Sequence, residues 1–234
     1  MPNAAFWTAF EARIAPYNLL THPFYQAWSR GELTRDDLRA YAAEYWHHVS
    51  AFPTYLSALH SRLPDSELRR EVLRNLAEEE GTDGPTARPH SDLWMDFAEG
   101  MGATRAEVEA HAVQPEMAAL LRTFRSAMQE PAPAAALAAL YAYESKVPEI
   151  AVTKAEGLTQ HYAADAATAK YFTLHRTADV AHAAVWRELI NQELAADPTA
   201  AEAALDSGER AARALWSALD GVERERQAHR QPAR

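Results

Sequence analysis

Apolar residues recur along this chain at steps of three and four, the period of a helix that buries one face. Runs of strand-like alternation bounded by turn residues are not found. A first helix is expected from Ala4 to Tyr17, and a short one after His22–Pro23 that ends at Gly31. Thr34 has the character of an N-cap, with Asp36 and Asp37 in the first turn where the helix dipole favours acids. That helix is expected to reach about Leu63 with Pro53 inside it. A fourth runs from about Asp65 to Glu80, with Leu73 and Leu76 on its buried face, and stops at Gly81. The stretch from Gly81 to Pro89 is the clearest loop. Further helices are expected near Ser91–Met101, Thr104–Ala112 and Pro115–Gln129. Pro131 and Pro133 open a long helix to about Gly157, with Pro148 inside it. The next covers Ala166–Ala195, and Pro198 opens a last one to about Arg224. Gln227–Arg234 reads as a frayed tail. With no fixed-period repeat and no linker, the pattern predicts one all-α domain over residues 1–226, a bundle of about seven main helices.

Composition narrows the function. The chain has 234 residues, 48% of them hydrophobic, enough to bury a core without staples. With 23 basic against 33 acidic residues the net charge is -10, which argues against a nucleic-acid or anionic-lipid partner. The lack of cysteine removes thiolate zinc sites, iron–sulfur clusters and cysteine nucleophiles. No run of 18 apolar residues offers a membrane span, and the N-terminal segment is amphipathic and carries an acid, unlike a signal peptide. A cytoplasmic protein is expected.

Three segments carry candidate chemistry. Phe172, His175, Asp179, His182, Trp186 and Leu189 follow one another at three, four, three, four and three residues, a single stripe of one helix. Its apolar ends mark it as core-facing, and burying its His–Asp–His centre is costly unless the groups are paired or hold a metal. Glu144 likewise interrupts the apolar stripe Leu137, Leu140, Val147, Ala151, and is either a salt-bridge partner or a ligand. Pro148 removes the backbone hydrogen bond to the Glu144 carbonyl, so a kink is expected beside it. Glu78, Glu79 and Glu80 end a helix. Spacing from Leu76 lets Glu79 or Glu80 point inward, while the rest of the run is a solvated helix end. His90 opens the next helix, as a surface residue, a cap or a ligand. Carboxylates plus imidazoles without thiolate suit iron or manganese. Six such groups exceed the need of one metal, and the Glu-x-x-His pairs of ferritin-like bundles are absent.

Several long segments, among them "HPFYQAW", "RAYAAEYWHH", "NLAEEEG", "LAALYAYESKVPEIAVTKAEGL" and "YFTLHRTADVAHA", resemble the family of the chlamydial protein associating with death domains. The resemblance runs from about Asn18 to about Leu189. It implies a heme-oxygenase-like helical bundle that holds a di-iron or manganese–iron centre and, with O2 and an external reductant, makes para-aminobenzoate for folate. The ligands it implies are Glu79, His90, Glu144, His175, Asp179 and His182. It implies that Tyr25 supplies the ring and Lys154 the amino group, with Tyr41 a second tyrosine near the site. A homodimer is the analogy from the wider superfamily. The chain departs from the pattern in three places: the loop from Gly81 to Pro89 is longer, which bears on where His90 sits; Trp46 stands where the family has a tyrosine, an expected change to the aromatic pocket; and the segment after about Ala195 matches poorly, so no host-protein role is carried over. Other readings are an oxidase of an external small molecule, a PqqC- or TenA-like cofactor-synthesis protein, and a non-enzymatic interaction protein. His22, His47, His48 and His60 receive no role; His47 or His48 could support the ligands from behind.

Overall fold

The computed structural model describes residues 4–64 and 66–230. Asp65, where the fourth helix was expected to begin, and residues 231–234 of the tail lie outside them. The described residues form eleven α-helices: α1 (Ala4–Ile14), α2 (Pro23–Ser29), α3 (Arg35–Arg62), α4 (Glu67–Glu79), α5 (His90–Gly100), α6 (Arg105–Glu109), α7 (Pro115–Ala127), α8 (Pro133–Glu144), α9 (Val147–His161), α10 (Lys170–Ala196) and α11 (Ala201–Arg230). The all-α reading holds. The subdivision is finer than seven because α2 and α6 are short and one expected helix is two.

Local chemistry explains most boundaries. Thr34 caps α3 through a capping box with Asp37, and Thr104 caps α6 in the same way with Glu107. Pro53 sits buried inside the continuous α3. Pro16 turns the chain into a 3₁₀ turn over Ala15–Tyr17, so α1 ends before the expected Tyr17. The helix expected to continue through Pro148 is broken rather than kinked. It stops at Glu144, and α9 restarts at Val147 with Pro148 in its first turn, where a missing N–H does no harm. At the other end α11 continues to Arg230, six residues past the expected end. Arg230 is tied to the Glu32 carbonyl and to Asp37.

The face of α4 also differs from expectation. Leu73 is 48% exposed, and the buried stripe is Leu68, Val72, Asn75 and Glu79, spaced four, three and four. The phase of the helix is set by Val72 against α3 rather than by the more hydrophobic Leu73, and it carries Glu79 inward.

Helix α8 is apolar on every side, with all of Ala134–Ala142 buried, as a helix surrounded by others must be. It packs against α11 and α10, while α10 also packs on α9 and α5. Alanines and glycines let these helices approach closely. Gly157 is one such point: a Cβ there would lie 2.7 Å from Trp28 Cδ1 and 2.9 Å from its Nε1. Trp28 is fully buried and its indole N–H donates to the Lys154 carbonyl, so this contact fixes α9 against α2.

Gly157→Ala tests that contact. Helix propensity alone would favour alanine by about 1 kcal/mol. Overpacking against an immobile indole costs about 1–3 kcal/mol. The variant is expected to lower the urea midpoint; a raised midpoint would show that Trp28 yields at little cost.

Candidate metal centre

Helix α10 presents His175, Asp179 and His182 on one buried stripe, flanked by Phe172, Trp186 and Leu189, all buried. The other three groups stand at helix ends. Glu79 is the last residue of α4, His90 the first of α5, and Glu144 the last of α8. The two ends that carry Glu79 and His90 are held together by the loop between them. Gly81 adopts φ +63°, and a Cβ on it would lie 2.3 Å from the backbone of Arg88 and Pro89, so the loop doubles back on itself. Its extra length therefore leaves His90 facing Glu79.

The six groups fall into two triads. Ligand atoms of Glu79, His90 and His175 lie within 4.8 Å of one another, as do those of Glu144, Asp179 and His182. His90 Nδ1 is buried 3.0 Å from Glu79 Oε2, an ion-pair contact that falls short of well-directed hydrogen-bond geometry. His175 Nδ1 lies 2.7 Å from the Tyr171 carbonyl, which places its proton on Nδ1 and leaves Nε2 free. His182 Nε2 lies 2.8 Å from Glu78 Oε2, and its Nδ1 is 3.3 Å from Asp179 Oδ1 and 3.7 Å from Glu144 Oε2. Trp186 Nε1 donates to Glu144 Oε2 at 2.6 Å, while Glu144 Oε1 is buried without a partner.

The titration of these groups reports crowded negative charge. Burial pushes the Glu144 carboxyl well above the usual range, and neighbouring Asp179 pushes it further. Burial would lower His182, but the hydrogen bond to Asp179 and the charges of Glu144 and Glu78 outweigh it and raise it to about 10. Burial also opposes ionisation of the Glu79–His90 pair. Their mutual attraction prevails, lowering Glu79 and raising His90. His175 is lowered by burial. Protons are thus recruited to a buried cluster rich in carboxylates. Orphaned ligand atoms and an oxygen–imidazole donor set fit two divalent transition-metal ions, one per triad, which would supply the missing positive charge.

On the other side of His175 lies a second polar group. Lys154 of α9 is buried, and its Nζ donates to the hydroxyls of Tyr25 at 2.7 Å and Tyr41 at 2.5 Å, which are 3.2 Å from each other. No carboxylate faces this amine. Burial holds it well below the ordinary lysine range, and raises both phenols well above theirs. A small cavity of about 20 Å³ adjoins it, lined by Tyr25, Lys154, Tyr45, Tyr143, Tyr171 and His175 among others. The rings of Tyr171 and His175, with centroids 4.0 Å apart and planes tilted by 33°, lie between this pocket and the triads.

All six expected ligands and all three expected pocket residues therefore meet in two adjoining groups. Three contributors were not foreseen. Glu78, assigned to the solvated helix end, reaches His182; Trp186, read only as core, donates to Glu144; and Tyr171 orients His175. The spacing of Trp186 from His182 could have signalled its part, whereas Glu78 carries no sequence signal. Trp46 does not alter the pocket: it is half-buried beside His47 and lines no part of the cavity. His48 does not support a ligand. It lies among Phe52, Tyr55, Phe124 and Tyr143 with neither ring nitrogen hydrogen-bonded within the chain, and burial pushes it down to about 3. His22 caps α2, and His47 contacts the His111 carbonyl.

The backbone superimposes on a TenA homologue from Pseudomonas syringae with a TM-score of 0.79, covering 94% of this chain and 93% of that one at 19% identity, so the fold is that of the heme-oxygenase-like bundles. Residues 39–216 match the family of iron-containing redox enzymes, and the chain belongs to it. It is 41% identical over 205 residues to the 4-aminobenzoate synthase of Chlamydia trachomatis, covering 87% of this chain and 85% of that one. It is 39% identical over 233 residues to the 4-aminobenzoate synthase of Nitrosomonas europaea, covering 95% and 92%. The resemblance read from the sequence is thereby borne out, and the similarity extends past Ala195. Among the described residues no helix is long and apolar enough to cross a membrane.

The neutral amine has a stability signature in metal-free protein. The Lys154 pKa is depressed below its unfolded value of 10.5, so between the two the unfolded chain binds the extra proton. Stability from this group is present above 10.5 and is lost as pH falls toward the folded value. Lys154→Met should therefore be more stable than the wild type at pH 7, by more than about 1 kcal/mol. The gain should shrink as pH approaches 10. Urea midpoints at pH 7, 8.5 and 10 check this; a gap independent of pH would mean the buried amine is charged.

Proposed function

We propose that this chain is a di-metal oxygenase that makes 4-aminobenzoate, with the ring taken from its own Tyr25 and the amino nitrogen from Lys154. The carrying observation is the contact of Lys154 Nζ with the Tyr25 hydroxyl, 2.7 Å apart beside a small cavity that His175 also lines. The names of the relatives and the family membership support the oxygenase class.

The chemistry follows from the side chains. A tyrosine side chain is a phenol with one carbon para to the oxygen. Breaking its Cα–Cβ bond, oxidising Cβ to a carboxylate with O2 and the reductant, replacing the phenol oxygen, which leaves as water, by the Lys154 nitrogen, and breaking the Nζ–Cε bond of the lysine gives 4-aminobenzoate. Two transition-metal ions, Fe/Fe or Mn/Fe, held by Glu79, His90 and His175 and by Glu144, Asp179 and His182, would supply the O2-activating chemistry, recharged by an external reductant. The chain's own part is to hold the reactants. Lys154 is kept neutral by burial, so its lone pair is available as nucleophile and proton acceptor at the phenol end of the ring. Tyr41, hydrogen-bonded to both, holds the Tyr25 hydroxyl in place. Tyr45, Tyr143 and Tyr171 wall the pocket and keep it narrow. A free volume of about 20 Å³ suits a molecule the size of water or O2 and leaves no room for an external aromatic substrate. That favours the internal ring over an oxidase of a separate small molecule.

The test is single turnover without organic substrate. Metal-depleted protein is loaded anaerobically with iron, alone or with manganese, then given O2 and a reductant. At most about one equivalent of 4-aminobenzoate per chain is expected by mass spectrometry, with a matching loss of protein mass. Protein labelled with ¹⁵N only at the lysine side chain should yield ¹⁵N-4-aminobenzoate. Tyr25→Phe and Lys154→Met should each reduce release more than about tenfold, the smaller end of what a reacting group contributes. Absence of product from protein carrying two bound metals would end the self-derived reading.

A further inference from the structure

A second cavity has no part in the chemistry above. It has a volume of about 180 Å³ and lies where α1, the turn after it, the α8–α9 break and α11 meet. Leu19 and Tyr143 line both this cavity and the pocket of Tyr25 and Lys154. The clefts that reach His182 and His90 share no lining residue with that pocket. Ile14, Ala142, Ala212 and Leu215 give the cavity apolar walls. Its cation is Lys146, set in the break between α8 and α9, with Nζ 3.3 Å from Glu11 Oε2 and both side chains partly exposed.

We propose that this cavity is the vestibule through which the aromatic product leaves, and that Lys146 receives its carboxylate in exchange for Glu11. The inference rests on the function proposed above, which frees a ring from Tyr25, a residue only 3% exposed. The freed molecule is flat and apolar with one anionic end. The vestibule matches it: a dry cavity of about 150 Å³ already accepts a benzene ring, and Lys146 adds a cation to its lining. Leu19 lies in a three-residue 3₁₀ turn, Leu19–Thr21, so this half of the shared wall is carried by a short connecting segment and not by a long helix. An exposed Lys–Glu pair is weak, and an incoming carboxylate replaces Glu11 with little loss. Tyr143 forms the other half of the wall and stays with the helix that carries Glu144.

Two arms test this on the full chain. In the first, 4-aminobenzoate, benzoate and aniline are added to metal-free protein in equilibrium dialysis. Lys146→Met is expected to weaken both carboxylates about tenfold and leave aniline unchanged, while Lys146→Arg restores them. In the second, metal-loaded protein is given O2 and reductant, and product is measured in the filtrate and again after denaturation. Ala15→Trp, at an exposed position lining the cavity, is expected to leave product trapped until denaturation. Equal carboxylate binding by Lys146→Met, or wild-type release from Ala15→Trp, overturns the vestibule. If even denatured wild-type protein yields no product, the self-derived route has failed, and the dialysis arm still decides whether this cavity takes an aromatic carboxylate.

Discussion

Glu79, Glu144 and Asp179 bring three carboxyl groups into a core whose other walls are aromatic and aliphatic. Burying such groups uncompensated would cost several kcal/mol each. The architecture meets that cost with three imidazoles, one indole N–H and one half-exposed carboxylate, Glu78, that holds His182 from behind. The compensation within the chain is incomplete: Glu144 is forced toward its neutral form and His182 toward its charged one. Divalent cations would reverse both tendencies. The same constraint explains the placement of ligands at helix ends. Glu79, His90 and Glu144 close α4, open α5 and close α8, so the backbone can turn away from the site while the side chains enter it.

Much of this was legible in the sequence, for identifiable reasons. The His175–Asp179–His182 stripe is confined to one helix, where period alone defines the face, and the flanking Phe172 and Trp186 declare it buried. Glu144 was legible for the same reason. Glu79 was not, because Leu73 is a stronger apolar signal than Val72 and gives the wrong phase; packing of α4 on α3 decides the matter, and only the resemblance selected Glu79, the glutamate that is buried. Pro148 was read as a kink, yet the chain breaks there. Once the bond to the Glu144 carbonyl is lost, restarting a helix with proline in its first turn is cheaper than bending one. Glu78 and Tyr171 act across elements or through backbone, and no spacing rule reaches them.

The Tyr25–Lys154–Tyr41 cluster obeys the opposite logic. Its charge is avoided rather than balanced. No carboxylate approaches Lys154, and the amine is surrounded by the rings of Tyr25, Trp28, Tyr41, Tyr45 and Phe172. Such a cage would attract an ammonium ion, but it offers hydroxyl oxygens in place of a counter-charge, and desolvation dominates. A neutral amine beside an un-ionised phenol is an unreactive pair until the phenol is oxidised, which makes the cluster stable in the resting protein.

The two clusters are separated by one layer, the ring of Tyr171 against that of His175. This separation has a chemical consequence. Lys154 meets the hydroxyls of Tyr25 and Tyr41 and not the triads' carboxylates, so neither cluster collapses onto the other. The His175 proton points to the Tyr171 carbonyl, which keeps the imidazole turned toward the triad and its back toward the pocket. A carboxylate–imidazole cluster and a phenol–amine cluster thus coexist in one small bundle, each held in its own protonation state by its own walls, with His175 the triad residue that also lines the cavity beside Tyr25.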